Sequence, residues 1–126
     1  MSRTARIAIA AFALATAAAV PAQAATPVAR TDLGDVRAAL TAFITPVAPE
    51  YLDGMRVRRA SVSSRDARFG AAWIQMPYAG RQVAYLRRTA RGWRVLDIGP
   101  SQVGCGLVPD AVLRDLGGRC PAAPPA

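Results

Sequence analysis

The apolar residues of segment 31–47 recur at three- and four-residue steps, which is the spacing of one face of an α-helix. They are Leu33, Val36, Leu40, Phe43, Ile44 and Val47. Thr31 or Asp32 can cap the start of this helix, and Pro46 and Pro49 end the pattern. We therefore predict a long N-terminal helix that turns its apolar face toward the core.

Four strand-like runs follow, separated by short gaps that carry turn residues. The runs are Met55–Ser63, Arg68–Met76, Arg81–Arg88 and Trp93–Ile98. Because short gaps of this composition are typical of hairpins, we predict a four-stranded antiparallel meander. The apolar parity changes between Val57 and Ala60, which predicts a β-bulge near Arg58 and Arg59.

After the last run, the pattern predicts a short helix that begins at Pro109 and ends at Gly117-Gly118. The fold class is therefore α+β, with an N-terminal helix on one sheet face, a four-stranded antiparallel meander and a short C-terminal helix. Both parities of the strands are apolar, so the second sheet face needs a cover. The C-terminal segment or a partner would supply that cover.

Aromatic residues alternate with arginines along the strands. Phe69 and Trp73 share one parity, as do Tyr85 with Val83 and Trp93 with Val95. On a single face these side chains form either the core under the long helix or, with the arginines, a stacking platform. Asp97 shares the parity of Trp93 and Val95. A carboxylate there is either held by an arginine or the backbone near Gly99, or is a perturbed acid in a pocket.

The first 24 residues predict a cleavable secretory signal peptide. Arg3 and Arg6 precede the uncharged apolar run Ile7–Val20, which is shorter than the roughly 20 residues that span a membrane. A small-x-small box predicts cleavage between Ala24 and Ala25, with an uncleaved anchor as the alternative. In the secreted product we expect a loose lead (25–30), a single domain (31–120) and a disordered Pro/Ala tail (121–126).

Cys105 and Cys120 are the only cysteines, and an exported chain with an even number of cysteines is expected to pair them. The resulting disulfide would close the C-terminal helix and contribute about 3 kcal/mol in the chain-entropy model. A metal site is the alternative, but two thiols without any His form an incomplete ligand set. We predict neither a metal nor a cofactor.

Positive charge is concentrated in the predicted sheet. Residues 56–94 contain ten of the sixteen arginines and one acid, Asp66, and the whole chain has no His. Outside a cell, such a surface attracts anionic envelope polymers or membrane surfaces before nucleic acid, and the alternative is a solvated face. We predict the binding residues to be Arg56, Arg58, Arg59, Arg81, Arg87 and Arg88.

The residue types disfavour an enzyme. Without His there is no Ser-His or Cys-His pair, and bridged cysteines offer no thiolate. Glu50 and Asp53 lie three residues apart beside a predicted turn, where turn formation and solvation explain them without catalysis. We therefore expect a protein that is not an enzyme.

Three motifs in the C-terminal third carry a family resemblance. They are Gly92-Trp93-Arg94-Val95-Leu96-Asp97-Ile98-Gly99, Val103-Gly104-Cys105-Gly106 with Val108-Pro109, and Leu116-Gly117 before Cys120. With these motifs the chain resembles small exported actinobacterial proteins of uncharacterised function. The resemblance implies export and a cysteine pair, and it implies no activity.

Three functions follow as hypotheses. The first is a secreted, non-enzymatic binding module whose basic sheet contacts an anionic envelope component or a membrane surface. The second is an inhibitor or accessory protein of a secreted enzyme, presenting Tyr78-Ala79-Gly80 or Val103–Gly106. The third and least favoured is an enzyme that uses carboxylates. No particular oligomeric state is predicted.

Overall fold

The computed structural model describes residues 25–121, so the predicted signal peptide with Ala24, and residues 122–126, lie outside the described part. The elements are β1 (Thr26–Pro27), α1 (Arg30–Ile44), a short 3-10 helix (Pro49–Tyr51), β2 (Arg56–Val62), β3 (Phe69–Met76), β4 (Gly80–Thr89), β5 (Gly92–Gly99) and α2 (Asp110–Asp115). The strands form one antiparallel sheet in the order β1-β2-β3-β4-β5. The α+β class is confirmed. Within residues 25–121, neither helix has the length and apolar character needed to cross a membrane.

The predicted count of four strands is wrong, because a fifth strand forms in the segment expected to be a loose lead. Strand β1 pairs with the end of β2 at Ser61–Val62. It is only two residues long and contains Pro27, which has no N–H to offer, so it leaves little edge for another chain to pair with. Helix α1 also begins earlier than predicted, at Arg30, and no side chain caps its start.

Helix α1 packs on one face of the sheet, which we call the α1 face. Its residues Val36, Ala39, Leu40 and Ile44 are buried. They form one cluster with sheet residues that include Ala60, Ala72, Ile74, Met76, Ala84, Leu86 and Val95. The small alanines let the helix approach the sheet closely. Two members of the periodic pattern stay outside the core, since Phe43 in the last turn is 36% exposed and Val47, beyond the end of the helix, is 78% exposed.

The opposite face, which we call the α2 face, is covered by the C-terminal segment. Phe69, Ala71 and Tyr85 are buried there against Val103, Val108, Val112, Leu113 and Leu116. The C-terminal segment therefore covers the second apolar face of the sheet, for which the sequence analysis expected either this segment or a partner. The aromatic residues of β3 and β4 belong to this second layer, so the expectation that they form the core under the long helix is wrong.

Two β-bulges decide which side chains share a face. The predicted bulge in β2 is confirmed, since the register shifts between Val57 and Arg59. A second, unpredicted bulge lies at Leu96, where Leu86 pairs with Val95 but the adjacent Tyr85 pairs with Asp97. Trp93 and Val95 consequently join the α1 face, whereas Asp97 lies on the α2 face. The expected common parity of Asp97 with Trp93 and Val95 is wrong for this reason.

The predicted disulfide between Cys105 and Cys120 is confirmed, with a Cα–Cα distance of 5.7 Å and a sequence separation of 15 residues. The disulfide joins the loop before α2 to the chain after α2, so the segment that covers the α2 face forms a covalently closed loop. Such a bridge persists in oxidising compartments and is compatible with export.

Candidate functional site

The arginines of the sheet keep their charge exposed. All ten arginines of residues 56–94 are exposed. Among the side chains that the structure describes, one ion pair forms, between Arg68 and Asp66 at 2.8 Å. The side-chain hydrogen bond from Arg68, followed by the one from its backbone N–H, lowers the pKa of Asp66 to about 2. The other nine arginines lie beyond ion-pair distance of any described acid, so the positive field of the sheet is not neutralised locally.

The predicted binding residues are divided among four places. Arg56 and Arg81 flank Gln75 from the two neighbouring strands, and Arg59 lies beside Trp73 on the same face. Because directly opposed residues of antiparallel strands share a face, these three form a cluster on the α2 face. We call this cluster the arginine triad.

The other three predicted residues do not join the triad. Arg87 is on the α2 face as well, but opposite Phe69 at the far end of β3. Arg88 pairs with Trp93 and therefore lies on the α1 face. Arg58 occupies the bulge of β2 and has no cross-strand partner there.

Three of the arginines stack on aromatic rings. The guanidinium carbon lies 3.9 Å from the ring centroid in Arg59–Trp73 and 4.6 Å in Arg88–Trp93. In Arg87–Phe69 the distance is 5.9 Å, at the limit of a cation–π contact. Stacking uses the planar face of the guanidinium and leaves its N–H groups at the edge, where they can donate to a carboxylate or phosphate.

A cleft of about 490 Å³ opens beside the arginine triad, between the α2 face and the C-terminal segment. Trp73, Val83 and Tyr85 form its apolar floor. Its walls are the loop Pro100–Val103 and the segment Gly117–Pro121, which contains the disulfide cysteine Cys120. No carboxylate lines this cleft, so nothing in its lining opposes an anion.

Three polar side chains of this cleft, Ser101, Gln102 and Arg119, were missed by the sequence analysis. Gln102 lines it with a φ of +52°, a backbone conformation that is uncommon outside glycine. Arg119 lines it from the other wall and is exposed. None of the three lies in a helix or strand pattern. The only signal was the position of Arg119 next to Cys120, which fixes the segment against the sheet.

The carboxylates that the sequence analysis singled out are either held by the backbone or exposed. Asp97 accepts hydrogen bonds from the backbone N–H groups of Ile98 and Gly104, each at 2.9 Å. This bears out the prediction that the backbone near Gly99 holds Asp97. Glu50 and Asp53 are exposed in and after the 3-10 helix. Within residues 25–121, no three Cys, Asp or Glu side chains come together in a group that could hold a metal ion.

The chain was compared with known proteins on three levels. No family model matches it, and searches of curated proteins and of solved structures find no match.

Proposed function

We propose that this protein is a secreted, non-enzymatic binding module whose α2 face contacts an anionic polymer of the cell envelope. The observation that carries the proposal is the arginine triad. Its three members lie on one face, are exposed and have no described acid within ion-pair distance. Guanidinium groups are the side chains best suited to carboxylate and phosphate, because each presents a rigid fork of N–H donors.

The proposal predicts a strong dependence of binding on salt. An exposed cluster of charges attracts a polyanion over about one Debye length, which shrinks from about 14 Å at about 0.05 M salt to a few ångströms at molar salt. Contacts with several anionic groups act together, so affinity for a polymer should fall steeply across this range. A single anionic group should bind only weakly.

The test is cosedimentation of the mature protein with purified envelope fractions over a salt series. We expect binding at about 0.05 M salt and release by about 0.5 M salt. The combined substitution of Arg56→Gln, Arg59→Gln and Arg81→Gln should lower the affinity by roughly a hundredfold, on the basis of about 1 kcal/mol per exposed contact.

The matched control removes the same charge from elsewhere. Arg37, Arg65 and Arg91 are exposed, and they lie on α1 and on two hairpin turns rather than on the α2 face. Their combined replacement by Gln should change the affinity by no more than about threefold through the overall field. Equal losses in both triple variants would show that net charge alone drives binding. Binding to anionic lipid vesicles in preference to the polymer would favour a membrane surface instead.

A second candidate, an inhibitor or accessory protein of a secreted enzyme, is favoured by one observation. Tyr78, at the tip of the β3–β4 hairpin, is 97% exposed and has a φ of +67°. A bulky residue in this conformation is strained, and an exposed tyrosine suits the centre of a protein interface. Replacing Tyr78 by Gly would relieve the backbone strain while removing the ring. If the protein inhibits a secreted hydrolase of its host, that substitution should abolish inhibition without lowering stability.

A further inference from the structure

We propose that the cleft beside the arginine triad is a subsite for one acidic sugar unit of the anionic polymer. This inference rests on the proposed function and makes it more specific. One sugar ring of the polymer enters the cleft, and the carboxylate of that sugar binds Arg119. Recognition would then depend on shape as well as on charge.

The floor of the cleft suits a ring with an apolar face. Trp73 is half-buried and belongs to both the arginine stack and the cleft, so the part of the indole that Arg59 leaves uncovered is open to the cleft. Val83 is half-buried beside it, and Tyr85 closes the inner end. An aromatic floor under a polar rim is the arrangement that small-molecule pockets use to hold a ring in a fixed orientation.

The walls supply the polar groups that an acidic sugar requires. Arg119 offers up to five N–H donors, and Gln102 and Ser101 offer a donor and an acceptor each for hydroxyl groups. Gln102 is held at a positive φ on the wall, and such local strain is commonly found where a side chain contacts a ligand. The volume of about 490 Å³ lies within the range of small-molecule pockets.

Charge complementarity selects an acidic unit over a neutral one. The lining contains Arg119 and no carboxylate, and the arginine triad lies at its border beside Trp73. A polymer of acidic sugars can therefore place one unit in the cleft while its neighbours meet the exposed guanidinium groups. A linear polyphosphate meets the same charges but has no ring for the floor.

The test uses tryptophan emission of the mature protein carrying Trp93→Phe, so that Trp73 is the remaining tryptophan. The probes are an oligogalacturonate, a polyphosphate with the same number of charges and a neutral malto-oligosaccharide. We expect the oligogalacturonate to change the Trp73 emission and to bind roughly tenfold more tightly than the polyphosphate, as one added charge-assisted hydrogen bond implies. The neutral sugar should not bind measurably.

Two substitutions that spare the fold complete the test. Arg119→Gln removes the guanidinium, and Gln102→Gly removes the side chain at a backbone position that glycine accepts without strain. Each should weaken oligogalacturonate binding roughly tenfold and polyphosphate binding much less. Arg37→Gln, on helix α1 and therefore across the sheet from the cleft, is the control and should affect both probes equally.

Each other outcome overturns the inference in a distinct way. Equal binding of both polyanions without a change in Trp73 emission would overturn the cleft subsite and leave the proposed function standing. Failure of both polyanions to bind would overturn the subsite and the proposed function together. Tighter binding of oligothymidylate, added as a fourth probe, than of the oligogalacturonate would assign the cleft to nucleic acid. Emission that changes with protein concentration alone would assign it to a second copy of this chain.

Discussion

Individual arginines can stabilise a sheet and remain available for binding. Arg59 stacks on Trp73, which orders its side chain before any ligand arrives. A side chain that is already ordered loses less conformational entropy on binding, and each rotamer-rich side chain otherwise costs about 0.5–1.5 kcal/mol. The aromatic neighbours of these arginines therefore matter for affinity as well as for packing. The same residues would look like an unremarkable solvated face if only their charge were counted.

Arg87 and Arg94 destabilise the sheet instead, because their like charges are directly opposed on β4 and β5. Like charges in that position destabilise a sheet by a few tenths of a kcal/mol up to about 1 kcal/mol. We expect Arg94→Glu to raise the free energy of unfolding by about 0.5 kcal/mol at low salt and by less at high salt. Arg91→Glu, in the adjacent turn, is the control. Urea titration at two salt concentrations measures both, and a loss of stability in Arg94→Glu would contradict the prediction.

Gly104 is a position where the cover of the α2 face comes close to the sheet. Its φ is +80°, and a Cβ built there would lie 2.9 Å from Cδ2 of Tyr85 and 3.2 Å from Cδ1 of Leu113. Gly104→Ala should therefore combine backbone strain with overpacking and lower the free energy of unfolding by about 2–4 kcal/mol. Gly106 has the same sign of φ and no neighbour within 4 Å. Gly106→Ala should cost only about 1 kcal/mol, and similar losses for both variants would refute the close approach.

Helix α2 is too short to be stable alone, and one carboxylate fastens it to the sheet. Asp115, its last residue, accepts hydrogen bonds from the Ser63 hydroxyl at 2.8 Å and from the Ser64 backbone N–H at 2.7 Å. The Ser64 hydroxyl donates a third, at 2.9 Å. Ser63 in turn accepts bonds from the backbone of Arg65 and Asp66. Ser63 and Ser64 thus attach the C-terminal cover to the β2–β3 hairpin.

This attachment should be sensitive to pH. Burial raises the pKa of Asp115, but the hydrogen bonds from Ser63 and Ser64 outweigh it and hold the pKa below its ordinary value of 3.8. Since the folded pKa is the lower one, the stabilisation is present above about pH 4 and is lost as the pH falls through the folded pKa. Asp115→Asn should lower the free energy of unfolding by about 1–2 kcal/mol at neutral pH, and this difference should shrink in acid.

The control for Asp115 is Asp110→Asn, in the first turn of the same helix. Asp110 is exposed, and its carboxylate contributes only through the helix dipole, about 0.5 kcal/mol. Urea titrations of both variants between about pH 7 and about pH 2 distinguish the two carboxylates. A difference between wild type and Asp115→Asn that does not change with pH would contradict the assignment.

Elements with a long, clean pattern could be predicted, and short or doubly apolar ones could not. Helix α1 and the bulge near Arg58 were visible because polar and apolar positions alternate there and the parity visibly changes. The bulge at Leu96 could not be seen in the sequence because both faces of β5 are apolar. A one-residue shift in register therefore leaves the alternation of polar and apolar positions unchanged. Strand β1 is too short to show any period. Charge located the arginines, but only the register showed that three of them form the triad and that Arg88 faces the other way.

The described part of the chain, residues 25–121, is one sheet between two separate apolar layers. Successive residues of a strand belong to different layers, as Ala71 and Ala72 or Tyr85 and Leu86 do. Because every strand residue is tied by its backbone to a neighbour in the other layer, loss of one layer leaves half of the sheet's apolar surface in water. Exposing one buried leucine or isoleucine side chain costs about 1.5–3 kcal/mol, so a half-covered sheet is not stable at this size.

We therefore expect both layers to unfold in a single cooperative transition. Trp93 reports on the α1 face and Trp73 on the α2 face, so Trp73→Phe and Trp93→Phe each leave one probe. In urea, the emission midpoint of each variant should coincide with its own midpoint by circular dichroism.

Leu40→Ala in the α1 layer and Leu113→Ala in the α2 layer should each lower the free energy of unfolding by about 2–5 kcal/mol. Each should shift the transition seen by the distant tryptophan as far as that seen by the near one. A Trp73 transition that moves with Leu113→Ala but not with Leu40→Ala would show that the C-terminal cover, with its cleft and disulfide, opens independently of the helix layer.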